Sequence, residues 1–434
     1  MQKWIVLIIM TLTLTALTAA CATILEGDRL SESVYVVPPY IPDEEPPEER
    51  IEVADIDEIK TVMLDLIMNH ESVGKLVINN NTDEDGVQSG IDKAAKEIIT
   101  LHPIGAYAVS SIMGTTSKVL LNCEIDISIE YKRTIEQLDS IINVSNMRYL
   151  RTELLSIMSE YREEAVFRST LDITEEDIRE YAREIYYENP RYIVMLPVIA
   201  FEAFPPDGED RIIELRFVHI EQTSIMRQYS DSLTAHVRGN AGLAVGRNDG
   251  ETLLSLVENL ISSVRFDVAA AWSISEHGAQ NFSATAFGAL VRQNAVGEGG
   301  AMAFKALCDE LGFDCRVVLG YLDGRTHAWN IVSLAGWFYH IDVSMSARNG
   351  IETAFLKTDE GFIEEFYEWD FENTITCNGA LTYEDIVFTD DEEEDDDMDE
   401  NGEETDGETN EEIIVDEGDE EDNEVIDDTE GEED

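Results

Sequence analysis

Residues 282–346 read FSATAFGALVRQNAVGEGGAMAFKALCDELGFDCRVVLGYLDGRTHAWNIVSLAGWFYHIDVSMS, and their pattern is the most informative in the chain. Its first half repeats apolar residues at the spacing of one helix face. These residues are Ala301, Phe304, Leu307, Cys308 and Leu311. Gly312 follows them and is the residue type that commonly ends a helix. Three apolar segments come next and predict strands, namely CRVVLGYL, HAWNIVSL and WFYHIDVS.

The order of helix, strand, THAWN strand and HIDVS strand resembles the transglutaminase-like superfamily, a relative of papain-type cysteine peptidases. Members of that family show GVCxGYA at the helix start, GHAWN on one strand and a YHxDxT-like run on the next. The resemblance covers roughly residues 251–377 and includes a downstream FLKTDEGF…YEWD segment. It implies an α+β fold whose last folded domain is papain-like.

The resemblance also implies a triad of Cys, His and Asp. In such a triad the thiolate attacks, the imidazole carries the proton and the carboxylate orients the ring. His327 in THAWN matches the base, and Asp342 in HIDVS matches the orienting acid. Trp329 and Asn330 match the positions that flank the base and are expected to lie at the cleft.

The position of the nucleophile falls in AVGEGGA, where family members read AVCEGYA. Gly297 therefore stands where the family has its cysteine. Glycine has no side chain, so no covalent acyl-enzyme can form there. The sequence predicts a member of the family that is not an enzyme.

Another cysteine is a poor substitute for the missing one. Cys308 lies eleven residues further on, roughly 16 Å along a helix axis, and on the apolar face. Cys315 begins a strand, Cys123 alternates with core residues, and Cys377 follows the family segment. The spacing contains no C-x-x-C pair, so neither a zinc site nor another cofactor is expected. An exported chain could pair two of these cysteines, and the spacing does not say which.

Gly297, Gly299 and Gly300 open the predicted helix. A glycine-rich helix start can leave backbone N–H groups open to an anion or to a carbonyl oxygen. These glycines are expected to lie in the cleft, which could still hold a peptide. The alternative is that glycine is merely tolerated at a site no longer used.

The N-terminus predicts export and lipidation. Lys3 is followed by an apolar run and then by LTAAC, which resembles a bacterial lipobox and implies lipidation of Cys21. Thr18 stands where that motif usually has leucine. We expect a lipid anchor in the membrane and a location on the extracytoplasmic face of a bacterial cell. An uncleaved anchor or a plain secreted protein remains the alternative.

The charge is strongly acidic, with a net value of −63 from 92 acidic and 29 basic residues. From Asp390 to Asp434 the chain holds 29 of those acidic residues and no Lys or Arg, so this tail is expected to be disordered. Phosphate groups would be repelled by such a surface, which argues against nucleic acid as a partner. No EF-hand spacing accompanies the acidic residues.

The body before the family-like region predicts a near-repeat of helix, hairpin and helix, offset by roughly 86 residues and helped by an N-cap at Thr174. In one unit a strand alternates strictly, with Leu121, Cys123, Ile125, Ile127, Ile129 and Tyr131 on one face.

The predicted organisation is a signal peptide over 1–20, an anchor and Pro-rich acidic tether over 21–50, repeat units over 51–171 and 172–247, the transglutaminase-like domain over 248–388 and the tail over 389–434.

Three functions fit these patterns. The favoured one is a surface lipoprotein whose degenerate cleft binds a peptide or a cell-envelope component without catalysis. The second is a working cysteine peptidase or acyltransferase that uses another thiol within about 4 Å of His327. The third is a scaffolding protein that acts through its acidic tail.

Overall fold

The computed structural model describes residues 49–271 and 280–388, which divide between Asp139 and Ser140 into two compact units. The predicted signal peptide, Cys21, nearly all of the tether and the acidic tail lie outside the described residues. Within the described ranges, none of the helices has both the length and the apolar character needed to cross a membrane.

The first unit is a four-stranded sheet with helices packed on it. Its strands lie in the order β1-β2-β4-β3, with β1 parallel to β2 and the other pairs antiparallel. The strands are β1 (Ile51–Glu52), β2 (Val73–Ile78), β3 (Val109–Val119) and β4 (Asn122–Tyr131). The helices are α1 (Ile56–Met68), α2 (Glu84–Leu101), α3 (Pro103–Ala108) and α4 (Ile135–Asp139).

Strand β4 has the alternation that its sequence predicts. Cys123, Ile125, Ile127 and Ile129 are all buried, because every second side chain of a strand points to the same face. Leu121 is the exception at 65% exposure, since it lies in the turn between β3 and β4 rather than in the strand. The predicted face is therefore confirmed within the strand and wrong at its start.

The second unit begins with a sheet of the same topology. Its order is β5-β6-β8-β7, again with one parallel pair at the edge and antiparallel pairs elsewhere. The strands are β5 (Ile142–Val144), β6 (Glu164–Ser169), β7 (Val198–Phe204) and β8 (Arg211–Val218). The helices are α5 (Met147–Ser159), α6 (Glu175–Glu188) and α7 (Thr223–Ala241). Helix α6 starts at the predicted cap, where Thr174 and Asp177 form a reciprocal capping box.

The repeat differs from the predicted one in its elements and in its offset. Each copy runs strand, helix, strand, helix and hairpin, and Ile51 in the first copy corresponds to Ile142 in the second, an offset of 91 residues. The predicted boundary after Leu171 is wrong. Strands β5 and β6 precede that boundary, yet β6 pairs with β8 in the second sheet. Pairing between distant strands leaves no local trace in a sequence, so sequence patterns alone misplace this boundary.

The rest of the second unit holds the region that resembles the transglutaminase-like family. A third sheet has the order β13-β12-β11-β14, and all its pairs are antiparallel. Its strands are β11 (Cys315–Leu322), β12 (Arg325–Leu334), β13 (Trp337–Ile341) and β14 (Tyr367–Glu368). A short parallel pair is formed by β9 (Arg265–Phe266) and β10 (Asn294–Ala295). The helices are α8 (Asp249–Ser263), α9 (Ala286–Leu290), α10 (Gly297–Leu311), α11 (Val343–Asn349), α12 (Asp359–Glu364) and α13 (Tyr383–Val387).

Helix α10 lies at the centre of this unit. It packs against β11 and β12 on one side and against α7 and α9 on others. It ends as predicted, with Gly312 in the left-handed conformation at φ 85°. One hydrophobic core runs from Val144 to Ile386, so the second sheet and the transglutaminase-like region share a core and are not separate domains. The predicted boundary at residue 247 has no counterpart in the packing.

The boundary between the units can be tested with fragments. A fragment of residues 140–388 should fold and unfold cooperatively, because it keeps the whole second sheet and its core. A fragment of residues 172–388 lacks α5 and the central strand β6, whose Phe167 is fully buried, and should not fold. Circular dichroism and thermal unfolding of both fragments check this. Equal, cooperative unfolding of the two would contradict a boundary between Asp139 and Ser140.

Candidate functional site

His327 and Asp342 meet between two neighbouring strands. His327 lies near the start of β12, and Asp342 directly follows β13, which pairs with β12. The imidazole Nε2 lies 2.6 Å from Asp342 Oδ2, so the two residues that the sequence singles out form a direct hydrogen bond. The Asp342 side chain is 1% exposed and that of His327 is 15% exposed, which leaves the ring as the accessible member of the pair.

The Asp342 carboxylate accepts four further hydrogen bonds. Tyr367 on β14 donates its hydroxyl to Oδ2 at 2.8 Å. The Ser344 backbone N–H and hydroxyl and the Met345 backbone N–H donate to Oδ1 at 2.9, 2.8 and 3.0 Å. Asp342 therefore caps helix α11 as well as orienting His327. The predicted WFYHIDVS strand stops at Ile341 for this reason, and its last residues are helical.

These donors decide the charge of Asp342. Burial alone would raise the pKa of this carboxyl, because a charged group loses its hydration. The hydrogen bond and charge of His327, the Met345 N–H and the Ser344 hydroxyl outweigh burial, and the pKa of Asp342 lies below its usual value. Asp342 is thus a buried anion whose two carboxylate oxygens both accept hydrogen bonds.

The bond to Asp342 also fixes which nitrogen of His327 faces the site. A carboxylate can only accept, so Nε2 carries the proton in the neutral ring and Nδ1 has a free lone pair. A Cβ atom built on Gly297 would lie 3.1 Å from Nδ1, 2.9 Å from Cε1 and 3.3 Å from the Ser344 hydroxyl. The basic nitrogen of His327 is therefore turned toward the residue that lacks a side chain.

The gap at Gly297 is partly filled by the ring itself. A Cβ atom there would lie inside normal contact distance of the imidazole, so any side chain at this position would push the ring back. The obstacle is the end of a side chain with two rotatable bonds, and not backbone. The position can accept a side chain if His327 moves.

The other two glycines of the helix start have different roles. A Cβ atom at Gly299 would lie 2.2 Å from the carbonyl oxygen of Ser283, so glycine is required there by close packing. A Cβ atom at Gly300 would meet nothing within 4 Å. Only Gly300 is open, and it stands where the resembling family has tyrosine. Gly299 is a packing residue rather than the cleft residue that the sequence predicts.

Trp329 and Asn330 are also packing residues. Both are 0% exposed. Asn330 donates through Nδ2 to the carbonyl oxygens of Ala301 on α10 and Arg316 on β11, at 3.0 and 3.3 Å. Trp329 stacks near His327 and makes an edge contact with Tyr367. The prediction that these two side chains line a cleft is wrong, because the strand buries one on each of its faces.

A second buried histidine forms its own network. Trp329 Nε1 donates to His340 Nδ1 at 3.0 Å, so His340 Nε2 carries the proton and donates to Asp359 Oδ1 at 2.9 Å. Burial lowers the pKa of His340. Cys377 lies close enough to form a trio of metal-ligating types with His340 and Asp359. A metal on Nε2 would need a proton on Nδ1, where the indole N–H already points, so these residues do not fit a metal.

None of the four described cysteines has an exposed thiol. Cys315 pairs with Val332, whereas His327 pairs with Gly320, five residues away, or roughly 16 Å along the strand. Cys308 is fully buried in the core, and burial raises its pKa well above the usual value. Burial likewise raises the pKa of Cys377. All four described cysteines are buried thiols and none is set up as a nucleophile.

Sequence patterns do not reveal three residues near the site. Tyr367 and Ser344 lie in the YEWD and HIDVS segments, which assign them no role. Glu298, beside Gly297, accepts a hydrogen bond from Tyr187 on α6 at 2.7 Å, and burial raises its pKa. Tyr187 lies 111 positions away and gives no local signal.

Two cavities of the second unit lie apart from the His327–Asp342 pair. A cavity of about 310 Å³ lies beside His219 and Arg216, and another of about 190 Å³ lies beside Arg316 and Asp370. Neither is lined by Gly297 or His327.

Two solved structures are similar to parts of this chain. One is a crystal structure of a transglutaminase, at 12% identity and a TM-score of 0.25, over 50% of this chain and 60% of that chain. The other, provisionally assigned as a cysteine protease from Cytophaga hutchinsonii, has 14% identity and a TM-score of 0.22, over 37% of this chain and 66% of that chain. The chain spans less than two thirds of either protein. At TM-scores this low, neither similarity bears on the activity of this chain.

No protein-family model and no curated protein matches the chain.

The buried carboxylate gives a prediction for stability. Asp342→Asn should lower the free energy of unfolding at pH 7 by about 3 kcal/mol, because it removes a buried charge from its donors. The pKa of folded Asp342 lies below 3.8, so its contribution is full above that pH and is lost as the pH falls through the folded-state value. Denaturant unfolding of the wild type and of Asp342→Asn between pH 2 and 7 measures this. The difference between their free energies of unfolding should become smaller as the pH falls.

The matched control is Asp207→Asn, at an exposed aspartate. It should change the free energy of unfolding by less than about 0.5 kcal/mol. If Asp342→Asn behaved like this control at pH 7, Asp342 would not be the buried anion described.

Proposed function

We propose that the region 248–388 is a transglutaminase-like domain that has lost its nucleophile and binds a peptide or a cell-envelope component without reacting with it. The single observation that carries this proposal is the geometry at Gly297. Nδ1 of His327 lies 3.1 Å from the place where a side chain would begin, and no side chain is present.

The sequence motifs and the contacts support the same reading. The helix start AVGEGGA, the THAWN strand and the HIDVS segment converge on one place, as the family resemblance implies. Acyl transfer in that family needs a thiolate at the helix start. Here His327 has an orienting acid and no partner thiol. Its ring can form a hydrogen bond with a ligand but has no thiol to deprotonate.

The chemistry of the ring limits the ligand. A neutral His327 offers the Nδ1 lone pair to a peptide N–H or to a hydroxyl group. A Cβ atom at Gly300, one helical turn from Gly297, would meet nothing within 4 Å, so a ligand has room there. Ser344 is near but donates its hydroxyl to Asp342, at 2.8 Å, and so is held by the acid rather than activated by the base.

The proposed setting is the outer face of a bacterial membrane. This rests on the lipobox-like LTAAC and on the Pro-rich segment after it, which would hold the body away from the lipid. A peptide or cell-wall ligand suits that location. A charge of −63 argues against nucleic acid.

The enzyme alternative needs a thiol beside His327. The buried positions of Cys123, Cys308, Cys315 and Cys377 disfavour it. We therefore favour binding over catalysis.

Restoring the thiol tests the loss of activity. Trypsin releases residues 293–305, which contain position 297. An acylating ester probe should leave this peptide unmodified in the wild type, because glycine offers no nucleophile. Gly297→Cys should form an adduct there, and adding His327→Gln should slow it by about 100-fold, as expected when a general base is removed. Mass spectrometry of the peptide gives the measurement. Turnover of any peptide by the wild type that a thiol-alkylating reagent blocks would overturn the proposal.

Binding can be tested separately by NMR on protein with labelled histidines. A peptidoglycan digest or a mixture of short peptides should shift the His327 ring signals, identified by their loss in His327→Gln. The exposed His236 is the internal control and should not shift. If the ring signals of both His327 and His236 shifted at millimolar ligand, or if neither shifted, the site would not be a selective binding site.

A further inference from the structure

Two of the four described cysteines are neighbours in the core. Cys308 is on α10 and Cys315 is the first residue of β11. Cys308 is 0% exposed and Cys315 is 2% exposed, and both belong to the same hydrophobic core. The Cys315 thiol is close enough to add to the effect of burial in raising the pKa of Cys308.

The turn between helix and strand brings these thiols together. Gly312 takes a left-handed conformation, and the Phe313 N–H bonds to the Cys308 carbonyl at 2.9 Å. This closes the helix end and sends the chain back along α10, which packs against β11. Cys315 and Val317 point to the α10 side of the sheet, since both contribute to that core.

The other described cysteines have no such neighbour. Cys123 belongs to the first unit, where it is the only cysteine described. Cys377 belongs to the separate cluster around Trp329 and Phe362. The shared core and the turn between α10 and β11 thus single out one pair, where the spacing in the sequence leaves every pairing open.

We propose that Cys308 and Cys315 form an intrachain disulfide when the chain folds in an oxidising environment. The oxidant is a disulfide, either a small molecule or a dithiol oxidoreductase. The thiolate of one cysteine attacks it, forming a mixed disulfide and releasing one thiolate. The second cysteine then attacks the sulfur of the first, which forms the intrachain bond and releases the second thiolate. Two thiols are oxidised and one external disulfide is reduced to two thiols.

The bond would join the C-terminal part of α10 to the strand beside it. Burial requires that the exchange occur during folding, before the core closes. The closed loop, from Cys308 to Cys315, is short, so the constraint on the unfolded chain is modest. Reduction should lower the unfolding midpoint of the second unit by about 5 °C. The inference concerns the scaffold of α10 and does not depend on the proposed binding function.

A single peptide reports on the pair. Lys305 and Arg316 are tryptic sites, and no Lys or Arg lies between them, so trypsin releases residues 306–316 with both cysteines. The full chain is refolded with oxidised and reduced glutathione, denatured, alkylated with N-ethylmaleimide and digested. The expected peptide carries no alkyl group and is about 2 Da lighter than the dithiol form, the mass of two hydrogens. After prior reduction it should carry two alkyl groups.

The variants make the test specific. Cys308→Ser should leave Cys315 alkylated or joined to glutathione. Cys123→Ser, the matched control, should leave the peptide unalkylated as in the wild type. The proposal is overturned if the natively folded wild type shows two alkyl groups on this peptide, or a link from it to Cys21, Cys123 or Cys377. The wild-type result alone decides, so a failure of Cys308→Ser to fold would not matter.

Discussion

The burial of the Asp342 carboxylate is the constraint on which the site depends. A buried anion costs several kcal/mol unless donors surround it, and here the donors come from different elements. His327 on β12 and Tyr367 on β14 donate hydrogen bonds to Oδ2. The backbone N–H of Ser344, at the start of α11, donates to Oδ1. Each element must be correctly placed for the charge to be tolerated. The same carboxylate therefore holds this corner of the sheet together and sets the orientation of the imidazole.

The His327–Asp342 pair thus has a structural role that needs no nucleophile. With glycine at position 297, Asp342 still accepts the hydrogen bonds of His327 and Tyr367. Losing Asp342 would leave the Tyr367 hydroxyl and the start of α11 without their acceptor. His327 and Asp342 are therefore weaker signs of activity than their motif suggests. The ring lies within contact distance of the place where a side chain at position 297 would begin.

Local patterns predict much of the fold and part of the site. The span and end of α10, the alternation of β4 and the cap at Thr174 all follow from periodicity and capping, and they hold. The motifs locate His327, Asp342 and Gly297, which the structure brings together. The failures arise from distant contacts. The boundary at Leu171 is wrong because β6 pairs with β8, and Tyr367 escapes notice because it meets Asp342 from 25 residues away.

The sequence places Trp329 and Asn330 beside the base but does not predict that they are buried. Both faces of their strand are packed against other parts of the second unit. Asp342 holds His327 with its basic nitrogen facing Gly297. Nitrogen-15 chemical shifts of the His327 ring test it most directly. The neutral ring should carry its proton on Nε2 and have a bare Nδ1. A neutral ring protonated on Nδ1, or ring shifts unchanged by Asp342→Asn, would contradict that claim.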